Sequence, residues 1–230
     1  MSAQLLFNSW YLNNAPWLQY NYEKNTRDEF LPNAKELESK IRKLAELRMS
    51  LIPYLYSAFA TYHFQGIPPF RALVVDYPGD SAVYNIDDEY MMGESLLAAP
   101  FLDGASKRHV YFPEGNWYDF NTNQKYQGNK NYEIEMSLDQ IPLFVKEGAI
   151  IPLAKPVQFI TQNTVFEITC HTYGAACKAT QLFEDNAYTN DYKSGAFNWI
   201  TLEWNSKKEK ISRLGNYPVH FYKVVAWMNH

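Results

Sequence analysis

The pattern of hydrophobic and polar positions changes once along the chain, close to Pro69. From Asn33 to about Phe64, apolar residues recur at spacings of three, four and seven positions: Leu37, Ile41, Leu44, Leu51 and Leu55. Such spacings place side chains on one side of an α-helix. Pro53 lies within this stretch and has no amide donor, so we expect it to kink the segment or split it into two helices.

Both ends of the predicted helix carry recognisable signals. Asn33 is a suitable N-cap, and Glu36 three residues later fits a capping box. Gly66, which is followed by two prolines, predicts the C-terminal end. The sequence therefore predicts a helical segment with defined ends.

The second half of this segment, "MSLIPYLYSAFATYHF", is apolar or aromatic on nearly every face. A helix of this kind is normally buried against several neighbours. The rest of the chain offers few obvious partners for it. The sequence therefore predicts either a fragment of a larger protein or a contact with another chain.

After Pro69 the chain reads as about ten short segments rich in aromatic and β-branched residues, such as "HVYFP" and "FEITCHTY". Gly, Pro, Asn and Asp separate them, which is typical of strands in antiparallel sandwiches. One helical segment followed by many strands predicts an α+β protein that is mostly β. The turn-prone stretch 154–163 predicts a boundary between two β-sandwich domains.

Composition and charge exclude several classes of protein. The 230 residues carry a formal net charge of −4 without clustered Lys and Arg, which disfavours a nucleic-acid binder. No run of about 18 apolar residues exists, so no membrane span is predicted. The amino terminus lacks the pattern of a secretory signal, and the sequence does not indicate a compartment.

Metal and cofactor sites are not predicted either. The five histidines are scattered singly, without the spacing of metal ligands. Cys170 and Cys177 could form a disulfide across a turn, but two free thiols are the expected state in a chain of this size.

Six motifs resemble, in order, the carboxy-terminal part of glycoside hydrolase family 31, the α-glucosidase and α-xylosidase family. "LRMSLIPYLYSAF" resembles that family's final barrel helix, and "PPFRALVVDYPGD" the exit from its barrel. "EYMMGESLLAAPFL" and "GNWYDF" resemble its proximal β-domain signatures, "IPLFVKEGAIIPL" its closing strand pair, and "LFEDNAYTNDYKSG" an acidic loop of its distal β domain.

The resemblance implies a three-part division of the chain. Residues 1–70 would be the terminal remnant of a (β/α)8 barrel, residues 71–153 a proximal antiparallel β-sandwich, and residues 154–230 a distal one. In this family the nucleophile and the acid/base are Asp residues on barrel strands that would precede this sequence. Retaining hydrolysis needs two carboxyl groups about 5–5.5 Å apart. We therefore expect no catalytic residue in this chain.

Two acidic clusters are the only alternatives that the sequence suggests for catalysis. Asp87, Asp88 and Glu89 form one, and Glu184 with Asp185 the other. Both are interpreted as polar turns in solvent beside strands. No G-x-S-x-G nucleophile elbow is present.

The opening stretch "LFNSWYLNNAPWLQYNY" holds the candidate substrate-binding residues. The family usually has an Arg and a His here, near Pro, but alignment on Pro16 places Gln19 and Asn21 at those positions. Trp17 can stack on a pyranose, and the amides of Gln19 and Asn21 suit sugar hydroxyls. The alternative is a structural loop in which these rings pack and the amides complete turns.

Structural roles are expected for five further residues. Trp117 and Tyr118 are predicted core residues of a hairpin, and Arg71 is predicted to pair with a carboxylate at the domain junction. His63 is expected to cap the helix end. Asn186, with its acidic neighbour, is expected to shape the distal loop.

Two functions from different classes fit the sequence. The first is the carboxy-terminal portion of an α-glycosidase, whose partners would be an oligosaccharide or glycoside substrate and the missing barrel portion, with a homo-oligomer through the exposed helix as a further possibility. The alternative is a stand-alone, non-catalytic carbohydrate-binding or interaction module. A fragment should leave the apolar face of the helix exposed, whereas a complete module should cover it.

Overall fold

The computed structural model describes residues 34–101, 106–135, 140–206 and 208–230. A long helix, α1, spans Ala34–Gln65. It ends at Gly66, which has φ +76° and donates from its amide to the carbonyl of Tyr62 at 2.9 Å. The predicted stop is thus confirmed, because this left-handed conformation favours glycine. The predicted N-cap, Asn33, and the side chain of Leu37 lie outside the described part.

Helix α1 runs through Pro53 without a break, so the expected split into two helices is wrong. The ring of Pro53 is buried, and the residues around it, Leu51 and Tyr54, are also buried. The hydroxyl of Ser57 donates to the Pro53 carbonyl at 2.7 Å. Packing on several sides therefore holds the helix together at a position where local preference alone would end it.

Fourteen strands follow in the described residues, with one short helix, α2 (Leu73–Asp76), after the first. The first eight are β1 Phe70–Ala72, β2 Tyr90–Met92, β3 Leu96–Ala98, β4 Lys107–Phe112, β5 Asn116–Asp119, β6 Lys125–Gln127, β7 Lys130–Glu135 and β8 Leu143–Lys146. The remaining six are β9 Ile150–Ala154, β10 Phe166–Thr172, β11 Thr180–Glu184, β12 Asn198–Asn205, β13 Lys208–Gly215 and β14 Tyr222–Asn229. Two 3-10 turns cover Ser81–Val83 and Asp191–Ser194.

The first group of strands forms an antiparallel sheet in the order β1-β2-β3-β8-β5-β6, and β4 pairs with β7 separately. Residues alternate between its two faces, as Leu96 faces α1 and Leu97 faces the β4–β7 side. The β4–β7 side is filled by aromatic rings, with Phe112 and Phe144 at 4.7 Å between centroids and Trp117 fully buried. The mostly β, antiparallel prediction is confirmed here.

The second group contains two three-stranded sheets, in the orders β14-β10-β9 and β11-β12-β13. Their shared core consists of buried residues from both sheets: Ile150, Ala154, Phe166, Ile168, Cys170, Leu182, Ile200 and Leu202. β10 and β14 are parallel, which differs from the expected antiparallel pairing. β9 bonds to β10 and not to the first group.

Helix α1 packs between the two groups, against β9 and β11 and on the first sheet. The expectation that the chain offers few partners is therefore wrong for the middle of the helix, where Leu51 is fully buried. The same side of the helix continues through Leu55 to Phe59 and Tyr62, which are 50% and 52% exposed. We call Phe59, Tyr62 and Phe64 the exposed helix end.

Two further findings concern the described residues as a whole. Cys170 and Cys177 are both free, Cys170 within the distal core, as the sequence predicts. Among these residues no helix is long and apolar enough to cross a membrane.

Candidate functional site

The exposed helix end meets the loop that follows β11, and aromatic side chains gather at this meeting point. Tyr56 donates its hydroxyl to Oδ1 of Asp185 at 2.6 Å, and the Ala187 amide donates to the same oxygen at 2.9 Å. Burial, together with the adjacent carboxylate, raises the pKa of Tyr56. The hydroxyl therefore stays protonated and fixes the loop to the helix.

Aromatic rings surround this hydrogen bond. Phe64 contacts Phe183, Phe197 and Trp199 with centroid distances of 5.8, 5.1 and 6.0 Å. His63 meets Tyr192 edge-on at 5.1 Å. A cavity of about 170 Å³ opens between these rings. We call it the aromatic groove, defined by Tyr56, Phe59, Ala60, His63, Phe64, Phe183, Asp185 and Tyr192.

The groove can hold a flat apolar group or pack against another protein surface. The aromatic rings that line the groove offer faces for stacking, and Asp185 adds a carboxylate to the lining. The Asp185 carboxylate already accepts two hydrogen bonds from this chain. The arrangement thus favours packing over acid–base chemistry.

Asp185 and Asn186 shape the loop, as predicted. The Asn186 side-chain oxygen accepts from the amides of Tyr188 and Thr189 at 3.1 and 3.0 Å. Its amide donates to the Thr189 hydroxyl at 2.7 Å. These bonds close a turn without any ligand.

Glu184 and Asp185 are both buried, so the interpretation of this pair as a solvated turn is wrong. The more extensively bonded of the two is Glu184. Its side chain is fully buried and accepts from the amides of Phe221 and Tyr222 at 2.7 and 3.2 Å and from Asn198 Nδ2 at 2.8 Å. Arg213 Nε lies 3.2 Å from it. This carboxylate therefore joins β11 and β12 to the start of β14 and has a structural role.

Glu89 is likewise buried, although the sequence predicts a polar turn in solvent. Its Oε1 accepts from the Tyr111 amide at 3.0 Å and lies 3.4 Å from Arg108 Nη2. Its Oε2 is buried without a hydrogen-bond partner. Burial raises the pKa of Glu89 to about 7, and Arg108 and the amide oppose this only in part.

A pH-dependent stability follows from Glu89. Its folded pKa of about 7 lies above the ordinary value of 4.5, so its contribution to stability is complete below about pH 4.5 and is lost as the pH rises through about 7. The Glu89→Gln variant is neutral at every pH. We expect its free energy of unfolding, relative to wild type, to rise by about 3 kcal/mol between pH 4 and pH 8.

Urea unfolding at several pH values measures this difference. The exposed residue Glu114 provides the control variant Glu114→Gln. A difference between Glu89→Gln and wild type that is constant with pH would contradict the expectation.

The predicted substrate residues Trp17, Gln19 and Asn21 lie outside the described residues. The structural roles predicted for Arg71 and Trp117 are confirmed. Arg71 binds Asp76 through two contacts of 2.7 Å, and Trp117 is fully buried in the first sheet, where Tyr118 is also buried. His63 lies in the last turn of α1 against aromatic rings.

Sequence reasoning missed the aromatic groove. The available signal was the spacing of Tyr56, Phe59 and Phe64 at the end of α1, together with Phe183 before the acidic loop. Among the described residues, no group of three or more potential ligands is arranged to hold a metal ion.

Known proteins resemble this chain along most of its length. Residues 66–151 match the family model described as the glycosyl hydrolase family 31 C-terminal domain. An α-xylosidase from Saccharolobus solfataricus is 33% identical over 181 residues, which are 77% of this chain and 25% of that protein. The chain belongs to glycoside hydrolase family 31. It corresponds to the carboxy-terminal part of these proteins.

Further relatives agree with this family membership. Alpha-glucosidase 2 from Bacillus thermoamyloliquefaciens is 36% identical over 172 residues, 74% of this chain and 22% of that protein. A family 31 dextranase from Flavobacterium johnsoniae, solved in complex with isomaltotriose, superposes with a TM-score of 0.72 at 32% identity. That match covers 83% of this chain and 25% of the dextranase. The family 31 chain thus spans about a quarter of the length of the curated relatives that it matches.

Proposed function

We propose that this family 31 chain is the carboxy-terminal portion of an α-glycosidase, an enzyme that hydrolyses O-glycosyl bonds in an oligosaccharide or glycoside. In this proposal its β domains support a catalytic barrel supplied by upstream sequence. The nucleophile and acid/base Asp residues belong to that barrel and not to this chain. The names of the relatives, which include an α-xylosidase and an α-glucosidase, support the substrate class.

The observation that carries the proposal is the exposed helix end. Leu44, Leu51 and Leu55 are buried on one side of α1, and Phe59 and Tyr62 continue the same side into solvent. Half-exposed rings of this size leave a large apolar area in contact with water, which is unfavourable. A barrel packed against this end would bury them.

The proposed division of the chain is residues 1–70 as the end of the barrel, 71–153 as the proximal domain and 154–230 as the distal domain. Two cores that each belong to one strand group support it, and a third core joins both groups to α1. β9 lies almost entirely before the proposed boundary, yet it pairs with β10. The first strand of the distal sandwich therefore comes from residues that this division assigns to the proximal domain. Trp17, Gln19 and Asn21 remain the proposed contribution to the sugar pocket.

Activity measurements test the proposal. We expect the 230-residue chain to release nitrophenol from an aryl α-glucoside or α-xyloside no faster than buffer. The chain extended by its in-frame upstream coding sequence should hydrolyse one of these substrates. Hydrolysis by the 230-residue chain alone would show that catalytic carboxylates lie within it.

A surface variant tests the barrel contact. Tyr62→Asp places a charge on the exposed helix end, so we expect the extended enzyme to lose at least half of its soluble yield or its activity. The 230-residue chain should unfold at the same urea concentration with or without this change, because Tyr62 is 52% exposed in it.

Tyr84→Asp is the matched control for this variant. Tyr84 is 57% exposed in the proximal domain. Equal effects of the two variants on the extended enzyme would mean that the exposed helix end does not contact the barrel.

One observation favours the second candidate, a stand-alone carbohydrate-binding or interaction module. The middle of α1 is enclosed by strands of this chain, as a complete module requires. In that case the exposed helix end is the proposed contact of a homo-oligomer or a sugar-stacking surface. Binding of isomaltotriose to the 230-residue chain, abolished by Phe59→Ala, would support the module.

A further inference from the structure

Strand β14 has one free edge. Among the described residues β10 is the only strand that pairs with it, and the sheet order β14-β10-β9 places β14 opposite the edge that packs on α1. On the free side, the described side chains reach only its first residue, Tyr222, through Glu184 and Arg213. An unpaired strand edge presents a row of N–H and C=O groups that can pair with a strand of another chain.

The two free edges of the distal sandwich differ in chemistry. β13, the edge of the other sheet, carries the charged residues Lys208, Glu209, Lys210 and Arg213. Charges of this kind protect an edge from pairing with another chain. β14 reads "YKVVAWMN" and carries a single charge, at Lys223. Its apolar Val225 and Met228 are each 49% exposed.

The side chains of β14 alternate around a bulge. Val225 has no partner in β10, because the register shifts between Ile168 and Thr169. Val224 and Trp227 are consequently half-buried on the core side, whereas Lys223 and Met228 are exposed.

We propose that β14 pairs antiparallel with β14 of a second copy of this chain, about a two-fold axis between Val225 and Ala226. In this register Val224 faces Trp227 of the second copy on the core side. Lys223 faces Met228 of the second copy on the exposed side. A shift of one residue would place Val224 opposite an exposed position, so the bulge selects this register.

Charge and symmetry favour a second copy as the occupant. The two Lys223 side chains lie at opposite ends of the paired strands, about 16 Å apart, so no like charges meet. The pairing joins two three-stranded sheets into one of six strands, β9-β10-β14 and its symmetry mate. Because the two-fold contact uses the same strand on both copies, it closes and leaves no further β14 edge.

Light scattering on the 230-residue chain tests this inference over a range of concentrations. We expect a dimer that dissociates on dilution and no larger species. The double variant Val225→Lys with Ala226→Lys brings four lysines together at the axis, so we expect its dimer dissociation constant to rise at least ten-fold.

Two variants are controls for that measurement. Ile211→Lys adds a charge to β13 at a residue that is also 49% exposed, and Tyr62→Asp alters the exposed helix end. Both should leave the dimer intact, and circular dichroism should show that all variants are folded. A monomer at every concentration, a larger oligomer, or dissociation by either control would overturn the proposal.

Disulfide formation tests the register independently. Opposed residues in an antiparallel pair have Cα atoms about 4.5–5.5 Å apart, which suits a disulfide. On a Cys177→Ser background, an equimolar mixture of Lys223→Cys and Met228→Cys chains should cross-link on oxidation. Efficient cross-linking of either variant alone, or of neither in the mixture, would contradict the proposed register.

Discussion

Replacing Glu184 with Gln is expected to lower the free energy of unfolding of the distal sandwich by about 3–5 kcal/mol. The fully buried carboxylate binds Arg213 and accepts from two backbone amides and one side-chain amide. The neutral amide of Gln leaves the Arg213 guanidinium without its anion, and its NH2 group cannot accept from the donors that Oε2 now serves. β11 and the start of β14 should separate first.

Urea unfolding followed by tryptophan fluorescence measures this loss, because Trp199, Trp204 and Trp227 all lie in the distal strands. The control is Glu203→Gln, which removes an ion pair with Lys210 whose members are 41% and 60% exposed. Its expected cost is below about 1 kcal/mol. Similar costs for the two variants would show that Glu184 contributes no more than a surface carboxylate.

The second large effect is expected from Leu51→Ala, at about 2–5 kcal/mol. Leu51 is fully buried where α1 meets both groups of strands. Its removal leaves a cavity among rigid strands, which cannot move inward without breaking their hydrogen bonds. Thermal unfolding should therefore show a lower midpoint for the proximal and distal groups together.

Leu214→Ala is the matched control for this prediction, because Leu214 is 78% exposed. The same chemical change should cost less than about 0.5 kcal/mol there. A Leu51→Ala protein as stable as Leu214→Ala would mean that α1 does not hold the two groups together.

Much of the fold could be predicted because it follows from local chemistry. Gly66 ends α1 since it alone accepts the left-handed conformation there without strain. Short apolar segments between turn residues form strands, and Arg71 pairs with the carboxylate of Asp76, five residues away. Each of these outcomes depends on near neighbours in the sequence.

The remaining features depend on contacts that the sequence does not display. Pro53 stays helical because distant strands bury it. Glu89 and Glu184 are buried through partners such as Arg108 and Arg213, which lie far along the chain. Acidic residues beside turns are usually solvated, so nothing local distinguishes these two.

The position of β14 in the chain bears on how the protein is made. Its partner β10 is synthesised long before it, with β11, β12 and β13 in between. Ribosomes add roughly 5–20 residues per second and domains fold as they emerge, so β10 can pair with β9 first and keeps its other edge open until β14 is made. Chaperones that bind nascent chains are then expected to stay on the second strand group longer than on the first. Ribosome pausing after β10 should increase aggregation of the nascent chain.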